Sequence, residues 1–294
     1  MPALFGPAGC GASFHEMGYK NSLQIPEYVS KMGLDAFEYQ CGRGVNIGDE
    51  KESALGTLAA EKGIRMSLHA PYYISMSSVD EEKRKNSVGY ILSSAKAVDL
   101  MGGDRIIVHT GSCGKLERGE ALTLALDTMR MSLEALDREG LGHVHICPET
   151  MGKINQLGDL NEVMALCSLD ERLIPCIDFG HLNARTMGGM NSKEAFMNVL
   201  DTIENVLGAE RRKHFHVHFS KIEYTKGGEK KHLTFSDAVF GPNPEPLMEL
   251  LAEKGAEPTV ICESDSTQAE DEMCIRDSLR RVGTAYRRRY ACEL

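Results

Sequence analysis

The sequence predicts a single (β/α)8 barrel. Three observations point to it: eight short apolar or β-branched runs, helix-like segments lying between them, and glycines closing several of those segments. Runs that are apolar throughout suit parallel strands covered on both faces. Strand alternating with helix implies right-handed crossovers, and eight such units close naturally into a barrel. A doubly wound open sheet is the competing architecture. It normally has fewer strands and a glycine-rich first turn, and no G-x-G-x-x-G follows the first run here.

In chain order, the strands are expected at 3–8, 36–40, 64–69, 105–109, 143–149, 174–179, 213–218 and 259–264. Helices are expected at 22–32, 50–62, 81–101, 120–139, 160–168, 192–207 and 246–254. Gly33, Gly63, Gly102, Gly140 and Gly255 stand where a left-handed cap would end a helix. The 294 residues, 42% of them hydrophobic, suffice for one barrel, which commonly needs about 250. No linker divides them. Residues 1–268 read as the catalytic domain. Residues 269–294 read as a C-terminal tail of doubtful authenticity: the run DEMCIRDS looks like translated sequencing-adapter sequence, and Arg287–Arg289 make a basic end. The other reading of this tail is a closing helix with a solvated basic end.

The N-terminus lacks a signal-peptide pattern, and no apolar run nears the roughly 18 residues that span a bilayer. A cytoplasmic protein without a membrane partner is expected. Nine cysteines, an odd number with no C-x-x-C pair, fit neither a disulfide framework nor a zinc finger. They read as free thiols, several serving as small apolar residues. The formal net charge of −10 argues against a nucleic-acid partner unless bound metal makes the site locally positive.

Placed on the expected strands, the metal-capable residues converge. His69 ends the third strand, His109 the fourth and Glu149 the fifth. Asp178 is near the end of the sixth, with His181 three residues on. His216 is late in the seventh, His232 lies in the loop after it, and Glu263 is near the end of the eighth. In a parallel barrel these ends share one mouth. Grouped carboxylates stripped of water repel one another, and divalent metal relieves that cost. Mixed imidazole and carboxylate donors suit zinc, or manganese. One tetrahedral ion takes about four ligands, so eight candidates point to roughly two or three ions, one carboxylate bridging.

The segments SLHAPYYISM, VHTGSC, PETMGK, IDFGHLNA, HVHFSK and ICES resemble, in order and spacing, those of the endonuclease IV family of apurinic/apyrimidinic DNA endonucleases. H-A-P-Y, D-x-x-H and H-x-x-x-x-K carry most of the likeness. The resemblance spans residues 66–264. It implies a TIM barrel with three zinc ions that incises double-stranded DNA on the 5′ side of abasic sites, needing no organic cofactor and acting as a monomer. His69 and His109 would hold one ion. Asp178, His216 and Glu263 would hold a second, bridged to the first by Glu149. His181 and His232 would hold the third. Glu149 or Glu263 would orient the nucleophile. Tyr72 would contact DNA as in that family; Arg43, between glycines in a loop after the second strand that differs from the family's, and Lys221 are further candidates for phosphate contact.

Two departures stand out. Where the family has Asp-x-His, this chain has Glu229-Lys230-Lys231-His232, so the acid falls one residue early and Glu229 is the substitute third-site ligand. Where the family has Asn-Asp, this chain has His218-Phe219. Alternation puts His218 on the face of His216, as a spare ligand, a supporting group or a core histidine. A metal-dependent sugar isomerase or epimerase of the xylose-isomerase-like barrels is the rival enzyme, and a barrel that only binds metal or a partner is the non-enzymatic rival.

Overall fold

The computed structural model describes residues 3–290, and the side chains of residues 3–282. Ten strands occur among them: β1 Leu4–Pro7, β2 Ala36–Gln40, β3 Arg65–His69, β4 Arg105–His109, β5 His145–Glu149, β6 Cys176–Asp178, β7 His216–Phe219, β8 Lys221–Thr225, β9 Gly228–Leu233 and β10 Thr259–Cys262. Eight form one parallel sheet in the order β1-β10-β7-β6-β5-β4-β3-β2. Between β1 and β2 the ladder thins to a bridge from Ala8 to Glu38, with the Gly9 N–H donating to the Glu38 carbonyl at 3.0 Å. That seam closes the (β/α)8 barrel.

Gly6 shows why the seam can form. A Cβ there would stand within 1.9 Å of the Ala36 carbonyl oxygen, so only glycine lets the two strands come this close. The main apolar core lies between barrel and helices, and includes Leu68, Ile91, Val98, Ile146, Phe196 and Val260. Two small apolar clusters fill part of the interior: Ile107 with Cys147, Ile174 and Cys176, and Ala8 with Ala36 and Ile261.

Local chemistry sets the helix ends. Asp80 caps Glu81–Leu100 by accepting from the Glu82 N–H, and Asp159 with Glu162 forms a reciprocal capping box on Leu160–Cys167. All five expected capping glycines, 33, 63, 102, 140 and 255, take positive φ, between 59° and 72°. Two expectations shift. The seventh strand begins at His216 rather than 213, because Ala209–Lys213 continues as a short helix. The segment read as a plain loop after it is an antiparallel hairpin, β8 with β9. Gln268–Tyr290 is a helix lying against β1 and Glu245–Lys254, with Ala269, Glu272 and Ile275 buried. The side chains of Arg287–Arg289, and Cys292 altogether, lie outside the described residues. No helix among the described residues is long and apolar enough to cross a membrane.

Candidate metal centre

The carboxyl ends of β3 to β7 and β10, the helical turn after β6 and the hairpin strand β9 deliver donors to one mouth, where three groups form, the first two sharing Glu149. His69, His109 and Glu149 make the first, and Glu149, Asp178, His218 and Glu263 the second. His181, Glu229 and His232 make the third. Within each, the donor atoms lie within 4.8 Å of one another. Glu149 Oε2 is 3.4 Å from His69 Nε2 and 3.3 Å from His109 Nε2, while its Oε1 is 3.0 Å from His218 Nδ1. One carboxylate thus faces two groups with different oxygens.

The backbone aims the histidines. His69 Nδ1 is 2.9 Å from the Ala70 carbonyl, and His181 Nδ1 is 2.9 Å from that of Thr150. Each ring then donates from Nδ1 and turns Nε2, the nitrogen a cation would take, to the mouth. His232 Nδ1 is held by Ser220 Oγ at 2.8 Å. Asp178 spends Oδ1 as a helix cap, accepting the His181 N–H at 2.7 Å. Its Oδ2 and Glu149 Oε2 are buried with no hydrogen-bond partner. Buried polar atoms are normally paired, and anionic oxygens left this way, ringed by imidazole nitrogens, fit a divalent cation.

The electrostatics agree. Burial pushes Glu149 up, but the charge of His218 and the close approach of the His109, His181 and His218 ring nitrogens outweigh it, holding the carboxyl well below its usual range. Burial is likewise overcome at Glu263, chiefly by His218, and its carboxyl falls to about 2. Asp178 differs: burial dominates and lifts it to about 6. Burial would lower His69, yet Glu149 raises it to about 9. The carboxylates draw positive charge onto the rings, as a set built around cations should.

The third group depends on an irregularity in the hairpin. Ile222 pairs with His232 and Glu223 with Lys231, but Tyr224 pairs with Glu229, so Lys230 is an extra residue. A bulge resets alternation. Glu229 and His232, three residues apart, therefore share a side, with Glu229 Oε2 at 3.4 Å from His181 Nε2. Lys230 and Lys231 turn outward to Glu223. The hairpin rests on the loop after β5, where a Cβ at Gly152 would come within 2.6 Å of Glu229 Cβ.

One expected ligand sits elsewhere. His216 lies a layer below the mouth, grouped with Cys176 and His218 rather than with Asp178 and Glu263. Register is the reason: His216 pairs with Cys176, whereas His218 pairs with Asp178 itself. His218 therefore stands where His216 was expected. His216 is fully buried, and burial lowers it to about 4. Lys221 is also displaced from its expected role. It is buried, and its Nζ binds the carbonyls of Phe235 and Asp237 at 3.2 and 2.5 Å, tying down the loop after the hairpin. Tyr72 is 59% exposed and Arg43 is exposed in the loop after β2, where the Tyr72 N–H donates to the Gly42 carbonyl. Arg43, Asn46 and Lys51 line a cavity of about 480 Å³ there.

Glu38 escaped the sequence reading. It is fully buried in the middle of β2, with Ser67 Oγ donating to Oε2 at 3.0 Å. His216 Nε2 lies 3.1 Å from Oε2 and His218 Nε2 lies 3.0 Å from Oε1. The available signal was one carboxylate inside an otherwise apolar strand, AFEYQ.

Residues 26–283 match the family model described as xylose isomerase-like TIM barrel. The chain belongs to that family. The chain is similar to an uncharacterised protein of Methanocaldococcus jannaschii, 33% identical over 273 residues, 93% of this chain and 96% of that one. It is also similar to a probable endonuclease 4 of Shouchella clausii, 27% identical over 226 residues, 72% of this chain and 74% of the relative. Among solved structures, a D-tagatose 3-epimerase-like protein superimposes with TM-score 0.71 at 19% identity, covering 96% of this chain and 99% of that one. Endonuclease IV from Thermus thermophilus superimposes with TM-score 0.68 at 17% identity, covering 95% and 99%. At such identities the two structures speak for the fold alone.

Proposed function

We propose that this protein is a metal-dependent phosphodiesterase that incises DNA on the 5′ side of abasic sites, with zinc as the metal. The observation that carries this is the third donor group, His181 with Glu229 and His232, standing beside the two groups that Glu149 joins. Divalent ions held by these residues would supply Lewis-acid charge to a phosphodiester and make a nearby water more acidic. Glu149 would hold two of them at a fixed spacing. Glu263 is less buried than Glu149 and would orient the attacking water and take its proton. Asp178 and His181, locked together by the helix cap, would fix the second group relative to the third. Tyr72 and Arg43 would bear on the duplex. With ions bound, a locally positive mouth would offset the unfavourable net charge of −10.

A metal-dependent sugar epimerase is the second reading. The Glu149–Asp178–His218–Glu263 group favours it, because two glutamates on one ion can remove and return a proton. That chemistry leaves His181, Glu229 and His232 without a task.

The test is a duplex carrying one abasic-site analogue, incubated with metal-quantified protein with and without chelator. Incision 5′ to the lesion, sensitive to chelator and with an ion for each donor group, is the expected result. No incision, with fewer ions bound and turnover of a ketose, would replace this proposal with the second reading.

A further inference from the structure

The interior layer directly beneath the mouth is only partly apolar. Barrel interiors are normally filled by branched apolar side chains. Here Ile107, Ile261 and Cys147 take some positions, while Glu38, Ser67 and His216 take others, all buried. An ionised carboxylate in such a place needs compensation. Glu38 has it on both oxygens: Oε1 accepts from Gln40 Nε2 at 3.3 Å and Oε2 from the Ser67 hydroxyl at 3.0 Å, while His218 Nε2 and His216 Nε2 lie 3.0 and 3.1 Å away, within ion-pair reach though not aligned as hydrogen bonds.

His218 is the link between layers. Its Nδ1 points into the mouth, 3.0 Å from Glu149 Oε1 and 3.4 Å from Glu263 Oε2. A neutral imidazole that offers Nδ1 to a cation carries its proton on Nε2, and that nitrogen faces Glu38. A carboxylate on the far side of a ligating ring fixes its orientation and increases its basicity.

We infer that Glu38 is a positioning residue for the metal centre, acting through His218 and itself held by Ser67 and His216. This rests on the metal-binding part of the function proposed above and not on the identity of the substrate. Glu38 belongs to β2 and reaches β7 across the barrel. A strand that offers no ligand of its own to the mouth thus supports one that does.

The test compares zinc affinity, by chelator competition, in the wild type, Glu38→Gln, His218→Asn and the double variant. Thermal melts of the metal-free proteins check folding, and Glu38→Asp serves if the glutamine variant does not fold. The expected result is a loss of about 10–100-fold in the affinity of one bound ion in Glu38→Gln, the others being unchanged. In the His218→Asn background the second substitution should add nothing, because its effect passes through that ring. Unchanged affinity in Glu38→Gln, or effects that simply add, would overturn the inference and leave the proposed function standing. A wild type that holds no ion at the mouth would overturn both. Cobalt substitution gives a further check. A thiolate-to-cobalt absorption band lost in Cys176→Ser would mean that Cys176, His216 and the deep side of His218 hold an ion themselves, and would overturn the positioning role.

Discussion

At Glu149 a single side chain faces two donor groups, so its charge matters more than its shape. Glu149→Gln keeps the volume, and its metal-free form should melt as a folded protein. DNA incision should fall by more than about a hundredfold, the scale on which one preorganised charged contact acts in a transition state. Full activity with metal retained would rule out the bridging role. A different residue sets acid sensitivity. Asp104 is only about a third exposed, and although burial opposes it, Arg105 and Arg65 lower its carboxyl from 3.8 to about 2. The stabilisation is present above 3.8 and lost as pH falls through about 2. Asp104→Asn should cost about 1–2 kcal/mol at neutral pH after allowance for solvent screening. Thermal melts from pH 7 down to pH 3 should show the gap between variant and parent narrowing below pH 4. A gap independent of pH would mean the pair is not ionic.

At the scale of elements, the hairpin β8–β9 carries the sharpest prediction. Glu229→Ala should lower the bound-ion count by one, measured by metal analysis after dialysis. Deleting Lys230 should leave the count unchanged, because regular alternation then sets the acid two residues before His232 on the same side. Loss of an ion on deletion would show that the bulge does more than restore phase. Sequence reading reached different depths here. Strands and capping glycines were legible because a few neighbouring residues decide them. The hairpin was not, since KIEYT and GEKKHL are too charged to look like strands and pair with each other, outside the barrel sheet. The choice between His216 and His218 was not legible either. Alternation allows both, and only the pairing with Asp178, from another part of the chain, separates them. Glu38 was hidden for the same reason: its partners come from β3 and β7.

For the whole molecule, an ion held at the mouth would help to hold the barrel together. An ion that binds only the folded state adds stability in proportion to the logarithm of its concentration over Kd, about 2.7 kcal/mol at a hundredfold excess. Chelator should therefore lower Tm by roughly 5 °C or more at pH 7.5. The difference should shrink near pH 5, where protons compete for the histidines. An unchanged Tm would argue against ions at the mouth. The family's architecture explains why the fold alone does not choose a substrate. Endonuclease IV and an epimerase-like protein superimpose on this chain almost equally well, and what differs is which side chains reach the rim.

The narrow seam between β1 and β2 gives Glu38 a second employment. Its backbone carbonyl takes the Gly9 N–H that stitches the first strand to the second, while its side chain sits under His218. Joining the two edges of the sheet and furnishing the floor of the pocket are therefore a single event. A chain whose first strand has not docked would have a slack second strand and a poor grip on metal. An ion at the mouth would then be held well only by molecules in which the circle of strands is complete.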